Sequence, residues 1–276
     1  MPKLFIHALG CKTNHYENQA LAQQLSNHNF ELVSSVDKAD VAILNTCTVT
    51  AEAGRKSRQY LRRMKKKNPK AVIVAMGCHT QLENSEDCDI VVGTGSRNSL
   101  LSMINEKLAI NTIDDDFSIS LETDLKEIGR ASKEKEYEEL GIVSQQEDTR
   151  AQIKIQDGCN AFCTYCAIPF ARGRTRSRKR ENIHKEAEAL VKNGHKEVVL
   201  TGIHICSFEK EIGRNSDALA ELCLELNNIK GLERIRLGSL EPLSVTPSFL
   251  EILQKADKVC PHFHLSLQSG SDSVLA

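Results

Sequence analysis

The sequence predicts an α/β protein: an open parallel sheet followed by a second run of β/α units. Three observations predict it. Short apolar runs alternate with amphipathic stretches of helical period along most of the chain. A stretch rich in acid and lysine, over 109–149, interrupts that alternation once. The 276 residues are 40% hydrophobic and 26% charged, with 36 Lys+Arg against 37 Asp+Glu, the balance of an ordinary soluble protein of about two domains.

The elements follow in order. Strands are expected at Leu4–Leu9, Val41–Asn45, Ala71–Met76 and Ile90–Val92, with a weaker one at Glu31–Val33. Helices are expected between them, at about Glu17–Asn27, Ala51–Lys67 and Asn98–Lys107. Strands alternating with helices of this length imply βαβ units. Residues 1–108 are therefore a first domain, 109–149 a linker and 150–276 a second domain. In the second domain the strands are Gln152–Gln156, Glu197–Leu200, Glu233–Leu237 and His262–Leu267. Its helices are Ile183–Asn193, Asp217–Asn227 and Pro247–Lys255. Four strands can end an open sheet but cannot close a barrel.

Composition narrows the chemistry. No apolar run approaches the roughly 18 residues that span a bilayer, and MPKLFIHALGC lacks the layout of a signal peptide. The expectation is a cytoplasmic protein with no membrane partner. There are 10 cysteines, and in a reducing compartment clustered thiols are metal ligands or redox groups before they are disulfides. Aromatics are 4% of the chain and Trp is absent, so a nucleic-acid platform built on stacking is poorly supplied.

Three cysteines each follow an apolar strand directly: Cys11 after FIHALG, Cys47 after VAILNT and Cys78 after AVIVAMG. Ligand groups gather at the carboxyl ends of strands in open parallel sheets, so these thiols should converge on one edge. The bland alternative is three buried small hydrophobes. Cys88, Cys206, Cys223 and Cys260 lie outside the pattern and are expected to be structural. A second triad, Cys159-x3-Cys163-x2-Cys166, follows the strand Gln152–Gln156. Three thiolates this close can hold a cubane iron–sulfur cluster on three of its irons and leave the fourth open. A zinc site completed by a distant His or Cys, or idle core thiols, are the alternatives.

Two basic stretches remain. Arg55 to Lys70 is either a solvated helix face or a phosphate-binding one. RGRTRSRKR, from Arg172 to Arg180, has no acid among its nine residues. Arg172, Arg174, Arg176 and Arg178 are candidates for bidentate contacts to RNA phosphates, against the alternative of a surface loop. His204 and His264 lie near strand ends, where a core or rim histidine is as good a description as a ligand.

FIHALGCKTNHYEN, LNTCTVT, MGCHTQ, GTGSR at Gly93–Arg97, and above all CNAFCTYCAIPFARGRTRSR resemble the motifs of the radical S-adenosylmethionine methylthiotransferases. LTGIHI, RLGSLEP and HFHLSLQSGSDSVL resemble the family's later strand-end motifs. The wording CNAFCTYC and RGRTRSR is most similar to the enzymes acting on threonylcarbamoyladenosine beside the tRNA anticodon. Enzymes acting on isopentenyladenosine or on a ribosomal-protein aspartate are the neighbouring alternatives.

The resemblance implies an N-terminal methylthiotransferase domain and an incomplete radical SAM (β/α) barrel. It implies two [4Fe-4S] clusters, on Cys159, Cys163 and Cys166 and on Cys11, Cys47 and Cys78. The first binds S-adenosylmethionine, whose cleavage gives a 5′-deoxyadenosyl radical; the second presents sulfur. Tyr165, Thr201 and Gly202, with Ser239, Glu241 and Gln268 on later strand ends, would line the S-adenosylmethionine site. No side chain is singled out as catalytic, because the cofactors carry the chemistry. The implied partners are the tRNA anticodon stem-loop and an electron donor such as a flavodoxin or ferredoxin. Chains of this family continue through further barrel strands into an RNA-binding domain, so a shortened chain is expected. An iron–sulfur electron carrier or sensor, and a zinc-stabilised nucleic-acid module, are the readings from other classes.

Overall fold

The structure, a computed structural model, describes residues 1–83, 87–95, 97–113, 125–127, 136–141 and 149–275. Most of the expected linker 109–149 lies outside them. The chain forms two compact units that are not contiguous in sequence: Met1–Glu134 with Ala161–Gly173, and Lys135–Asn160 with Arg174–Ala276. The division at residue 150 expected from composition therefore differs from the folded one. Residues 161–173, which carry Cys163 and Cys166, belong to the first unit, and residues 136–141 belong to the second.

The first unit is a parallel sheet. Its strands are β1 (Lys3–Ala8), β2 (Glu31–Leu32), β3 (Val41–Thr46), β4 (Val72–Gly77), β5 (Ile90–Val92) and β6 (Leu125–Glu127), in the order β2-β1-β3-β4-β5-β6. The helices α1 (Lys12–Asn27), α2 (Ala51–Lys67), α3 (Cys78–Leu82) and α4 (Leu100–Ile113) connect them. Every residue of β3 and β4 is buried, as expected of strands covered on both faces. Val41, Ile43, Val72, Val74 and Met76 pack with Leu21, Leu25, Leu100 and Ile104 from α1 and α4. Ala42, Leu44, Ile73 and Ala75 turn to the opposite face, onto Leu61 and Met64 of α2. The two-residue alternation of a strand thus decides which helix each side chain meets.

One boundary differs from the sequence reading for a local reason. α1 starts at Lys12 rather than Glu17, because Asn14 anchors its first turn by donating to the Leu9 carbonyl at 2.8 Å and the Thr46 carbonyl at 2.9 Å. α2 begins where expected, capped by Thr50, whose hydroxyl accepts from the Ala53 N–H at 3.1 Å. The short helix α5 (Ile168–Arg172) of the same unit opens with Pro169 near its start and stops at Gly173, φ 73°.

The second unit has a four-stranded sheet in the order β10-β9-β7-β8, from β7 (Ala151–Asp157), β8 (Arg176–Ser177), β9 (Glu197–Gly202) and β10 (Arg234–Leu237). β7, β9 and β10 are parallel, and β8 runs antiparallel to β7. Helices α6 (Arg180–Lys192), α7 (Asp217–Leu226) and α8 (Pro247–Leu253) bury Ile183, Leu190, Leu219, Leu222, Leu226 and Phe249 against Ile153, Ile155, Val198 and Leu200. The fourth expected strand, His262–Leu267, is corrected. Only His264–Leu265 (β12) is extended, and it pairs with the two-residue β11 (Ser239–Leu240) instead of joining the main sheet. Its apolar side chains Phe263, Leu265 and Leu267 are exposed, so burial does not hold a longer strand in register. The last helix, α9, is Asp272–Leu275.

Candidate functional site

In the first unit, Cys47 and Cys78 directly follow β3 and β4, and Cys11 follows β1 after Leu9 and Gly10; the three strands are adjacent in one parallel sheet. The register aligns Ala8 with Asn45, Asn45 with Met76, and Thr46 with Gly77. The three thiols accordingly leave the sheet at one edge. Gly10 and Gly77, before Cys11 and Cys78, have φ of +94° and +103°. A Cβ on Gly10 would meet Cys47 Cβ at 2.7 Å, and one on Gly77 would meet the Thr46 carbonyl at 2.7 Å. Glycine is required twice by close approach and by conformation.

Cys47 is held by Ser57, whose hydroxyl accepts from the Cys47 N–H at 3.1 Å and donates to its carbonyl at 3.1 Å. Burial pushes the Cys47 thiol up, and pushes that of Cys78 up to about 11 despite the opposing Arg172 guanidinium. Arg172 is fully buried and donates through Nε to Cys78 Sγ at 3.1 Å. Its Nη1 and Nη2 bind the Glu17 carboxylate at 2.7 and 3.0 Å, and Nη2 also reaches Asn14 Oδ1 at 2.7 Å. Arg97 Nη2 stands 2.9 Å from the same carboxylate.

Cys163 and Cys166, in the first unit, form a turn in which the Cys166 N–H donates to the Cys163 carbonyl at 2.9 Å. Cys163 is exposed and Cys166 half-buried. Tyr165 between them is 72% exposed, and Phe162 meets Phe170 edge-on at 5.5 Å. Cys159 follows Gly158 in the second unit, where the end of β7 is tightly fastened. There Lys154 Nζ binds Asp157 at 2.7 Å, and Gln156 donates to the Asp157 and Gly158 carbonyls at 2.8 and 2.6 Å. Among the described residues no three His, Cys, Asp or Glu side chains close on a single metal ion. A donor set of thiols alone, with no carboxylate or imidazole among the expected ligands, suits iron–sulfur ligation. Thiolates on different irons of a cubane also stand farther apart than the ligands of one ion.

The strand ends of the second unit hold the other expected residues. Thr201 is buried, and a Cβ on Gly202 would meet the Gln156 carbonyl at 2.8 Å. Gln156 Oε1 accepts from the His204 N–H at 2.7 Å. His204 Nε2 lies 3.2 Å from Glu241, while burial lowers its pKa against the pull of that carboxylate. Ser239 is exposed with its hydroxyl 2.9 Å from His264 Nδ1. Gln268 is exposed with φ 63°. The structure thus sets Gln156, His204 and Glu241 together, while Ser239 is paired with His264.

The arginine tail needs correction. Arg172, Arg176 and Arg178 were expected to face RNA, and all three are buried. Arg176 lies 3.5 Å from Asp157, and Arg178 pairs with Glu139 at 2.7 Å and with Glu186. A guanidinium that neutralises a buried carboxylate is not available to a phosphate. Arg174 alone of the four is exposed. On α2, Arg55, Lys56, Arg58, Arg62, Lys65 and Lys67 are in ion pairs with Glu52, Glu83, Asp87, Asp89 and Asp37, which favours a solvated face. Sequence reasoning missed Asn14, Glu17 and Gln156. A polar pair one turn apart just after Cys11, in an otherwise amphipathic helix, was the available signal for the first two. Cys88, Cys206, Cys223 and Cys260 are buried, in keeping with structural roles.

Comparison with known proteins places these residues in context. A family model described as "Uncharacterized protein family UPF0004" matches residues 3–92, and the model of the Radical SAM superfamily matches 153–276. The chain is 39% identical over 285 residues to the threonylcarbamoyladenosine tRNA methylthiotransferase MtaB of Bacillus subtilis, covering 100% of this chain and 59% of that protein. It is 38% identical to the protein of the same name from Aquifex aeolicus, covering 99% and 64%. It is 32% identical to a tRNA-2-methylthio-N(6)-dimethylallyladenosine synthase of Clostridium botulinum, covering 99% and 60%. The chain therefore spans about three fifths of the length of these relatives. A solved radical S-adenosylmethionine methyltransferase, TsrM of Kitasatospora setae, superposes with a TM-score of 0.64 at 14% identity, over 100% of this chain and 61% of that one. That likeness is one of fold alone.

Proposed function

The chain belongs to the radical S-adenosylmethionine methylthiotransferase family, and we propose that it serves methylthiolation of tRNA at C2 of threonylcarbamoyladenosine 37. The observation that carries this reading is the convergence of Cys11, Cys47 and Cys78 on one sheet edge, in a chain that carries a second set of three closely spaced cysteines at 159, 163 and 166. Two incomplete thiol sets fit a reaction that needs both a reductive cleavage and a sulfur donor. An electron carrier or sensor needs only one. The names of the relatives support tRNA as substrate, and their two adenosine types leave isopentenyladenosine as the second reading.

Cys159, Cys163 and Cys166 would hold one [4Fe-4S] cluster, and Cys11, Cys47 and Cys78 the other. When bound, the first supplies an electron to S-adenosylmethionine and the second a place for transferable sulfur. This chain's own residues bind and orient. Tyr165 presents an exposed ring for stacking on adenine. Thr201 and Gly202 offer backbone groups at the end of β9, where the missing Cβ permits close approach. Glu241, fixed by His204, offers a carboxylate for hydroxyl or amino groups. Ser239 and Gln268 are the outlying members of this set. Arg174 is the guanidinium for RNA phosphate. The electron donor is a flavodoxin- or ferredoxin-like protein, and the setting is cytoplasmic. No helix among the described residues is long and apolar enough to cross a membrane.

The test is anaerobic reconstitution followed by iron and sulfide analysis, with S-adenosylmethionine cleavage assayed next. About eight irons and eight sulfides per chain are expected, with cleavage of S-adenosylmethionine. Zinc without sulfide overturns the reading. Mass analysis of nucleosides from tRNA exposed to the reconstituted enzyme then separates the two adenosine substrates.

A further inference from the structure

α5 brings a charged side chain into the core of the first unit, where the methylthiolation reading has no assigned role for it. Arg172 is joined to Glu17 by two hydrogen bonds, 2.7 and 3.0 Å, and to Asn14 by one of 2.7 Å. Its Nε donates to Cys78 Sγ at 3.1 Å. The segment is further tied down by Thr94, whose hydroxyl donates to the Ala171 carbonyl at 2.7 Å. All three guanidinium nitrogens are thus engaged within the protein.

Arg172 and Arg97 both face the carboxylate of Glu17, all three buried. A guanidinium in so desolvated a place is stabilised by anions at contact distance. The sulfur at 3.1 Å is the place for one such anion. Asn14 joins the same network to Cys11, whose thiol lies 3.9 Å from Asn14 Oδ1.

We infer that Arg172 is a positioning residue for the sheet-edge cluster, donating a charge-assisted hydrogen bond to the Cys78 thiolate and thereby raising that cluster's reduction potential. Hydrogen bonds to cluster sulfurs and nearby positive charge both favour the more electron-rich, reduced form. The inference rests on Cys11, Cys47 and Cys78 holding a cluster. It adds that a residue six positions after Cys166 tunes it. The stretch that carries two ligands of one cluster would then also adjust the other.

The experiment is a redox titration, followed by electron paramagnetic resonance, of the reconstituted 276-residue chain with Cys159, Cys163 and Cys166 changed to Ala, so that one cluster remains. In that background Arg172→Gln should shift the one-electron equilibrium at least tenfold toward the oxidised cluster, about 59 mV. Arg172→Lys keeps the charge but not the Nε donor. It should fold if the Gln variant does not, and should show a smaller shift in the same direction. Glu17→Gln, which leaves the donor to Cys78 in place, should shift the potential toward the reduced form or not at all. An unchanged potential in both Arg172 variants, with iron content retained, overturns the inference. So does an equal downward shift in Glu17→Gln, which would make the network a scaffold. Failure of the parent chain to bind iron at these three cysteines refutes the underlying cluster assignment instead.

Discussion

Cys47 and Cys78 emerge from strands buried on both faces, whereas Cys163 sits exposed on a turn. The two triads are built by opposite means. At the sheet edge, three thiols remote in sequence are brought together by strand register, two glycines of positive φ and a buried arginine. In the second set the thiols are neighbours in the chain, and Cys163 and Cys166 share one turn. The sheet edge is desolvated, and burial there favours the protonated thiol of Cys47 and Cys78, a proton that a bound cluster would replace. The turn is open to solvent at Cys163 and Tyr165.

Four measurements break or sharpen this contrast, and cluster content has the largest effect. Cys78→Ala should lose the sheet-edge cluster alone and Cys163→Ala the turn cluster alone, each leaving about four of eight irons. Loss of all iron from either substitution would end the description of two independent sites. Next comes backbone strain. Gly77→Ala should destabilise the fold by roughly 2–3 kcal/mol and empty the sheet-edge site, because the added Cβ meets Asn45 and Thr46 at a φ of +103°. Gly213→Ala has a similar φ, +86°, with nothing within 4 Å, and should cost about 1 kcal/mol with iron unchanged. Equal costs in thermal unfolding would mean the sheet edge is not close-packed.

The arginine tail supplies the third contrast. Arg176→Glu places a carboxylate beside the buried Asp157 and should cost roughly 3 kcal/mol of stability. Arg174→Glu should leave the melting temperature alone and lower the salt slope of tRNA binding by about one or two. If both changes act only on RNA binding, the buried ion pairs are wrongly placed. The smallest effect is on alkaline stability of the metal-free chain. Burial raises Cys78 to about 11 and Cys223 to about 12, above the unfolded value of about 8.5. Their folded forms bind protons more tightly, so this stabilisation is present below about pH 8.5 and is lost as pH rises toward 11–12. Cys223→Ala should flatten the decline above pH 9 in denaturant titrations; an unaltered slope would place that thiol in water.

The contrast also explains what could be read ahead of the structure. β3, β4 and β5 were legible almost to the residue because two-sided burial leaves unbroken apolar runs. The strand-end placement of Cys11, Cys47 and Cys78 was legible because each follows such a run. β12 was misjudged: His262–Leu267 alternates like a strand, but the alternation has no buried face to serve. Arg172, Arg176 and Arg178 were misjudged because a dense basic string has the same sequence whether its partners are phosphates or carboxylates. Those carboxylates lie elsewhere in the chain, Glu17 being 155 positions from Arg172.

By itself, then, the sequence determined the α/β class, the strand-end placement of the thiols and the two triads, since periodicity and spacing are local and act within a few residues. Only the tertiary structure decided that residues 161–173 fold with the first unit, that Asn14, Glu17 and Arg97 surround a buried guanidinium, and that one arginine of the tail is left in solvent. The physical reason is that desolvating a charge demands an opposite charge at contact distance, and which residue supplies it is settled by the folded chain rather than by its order.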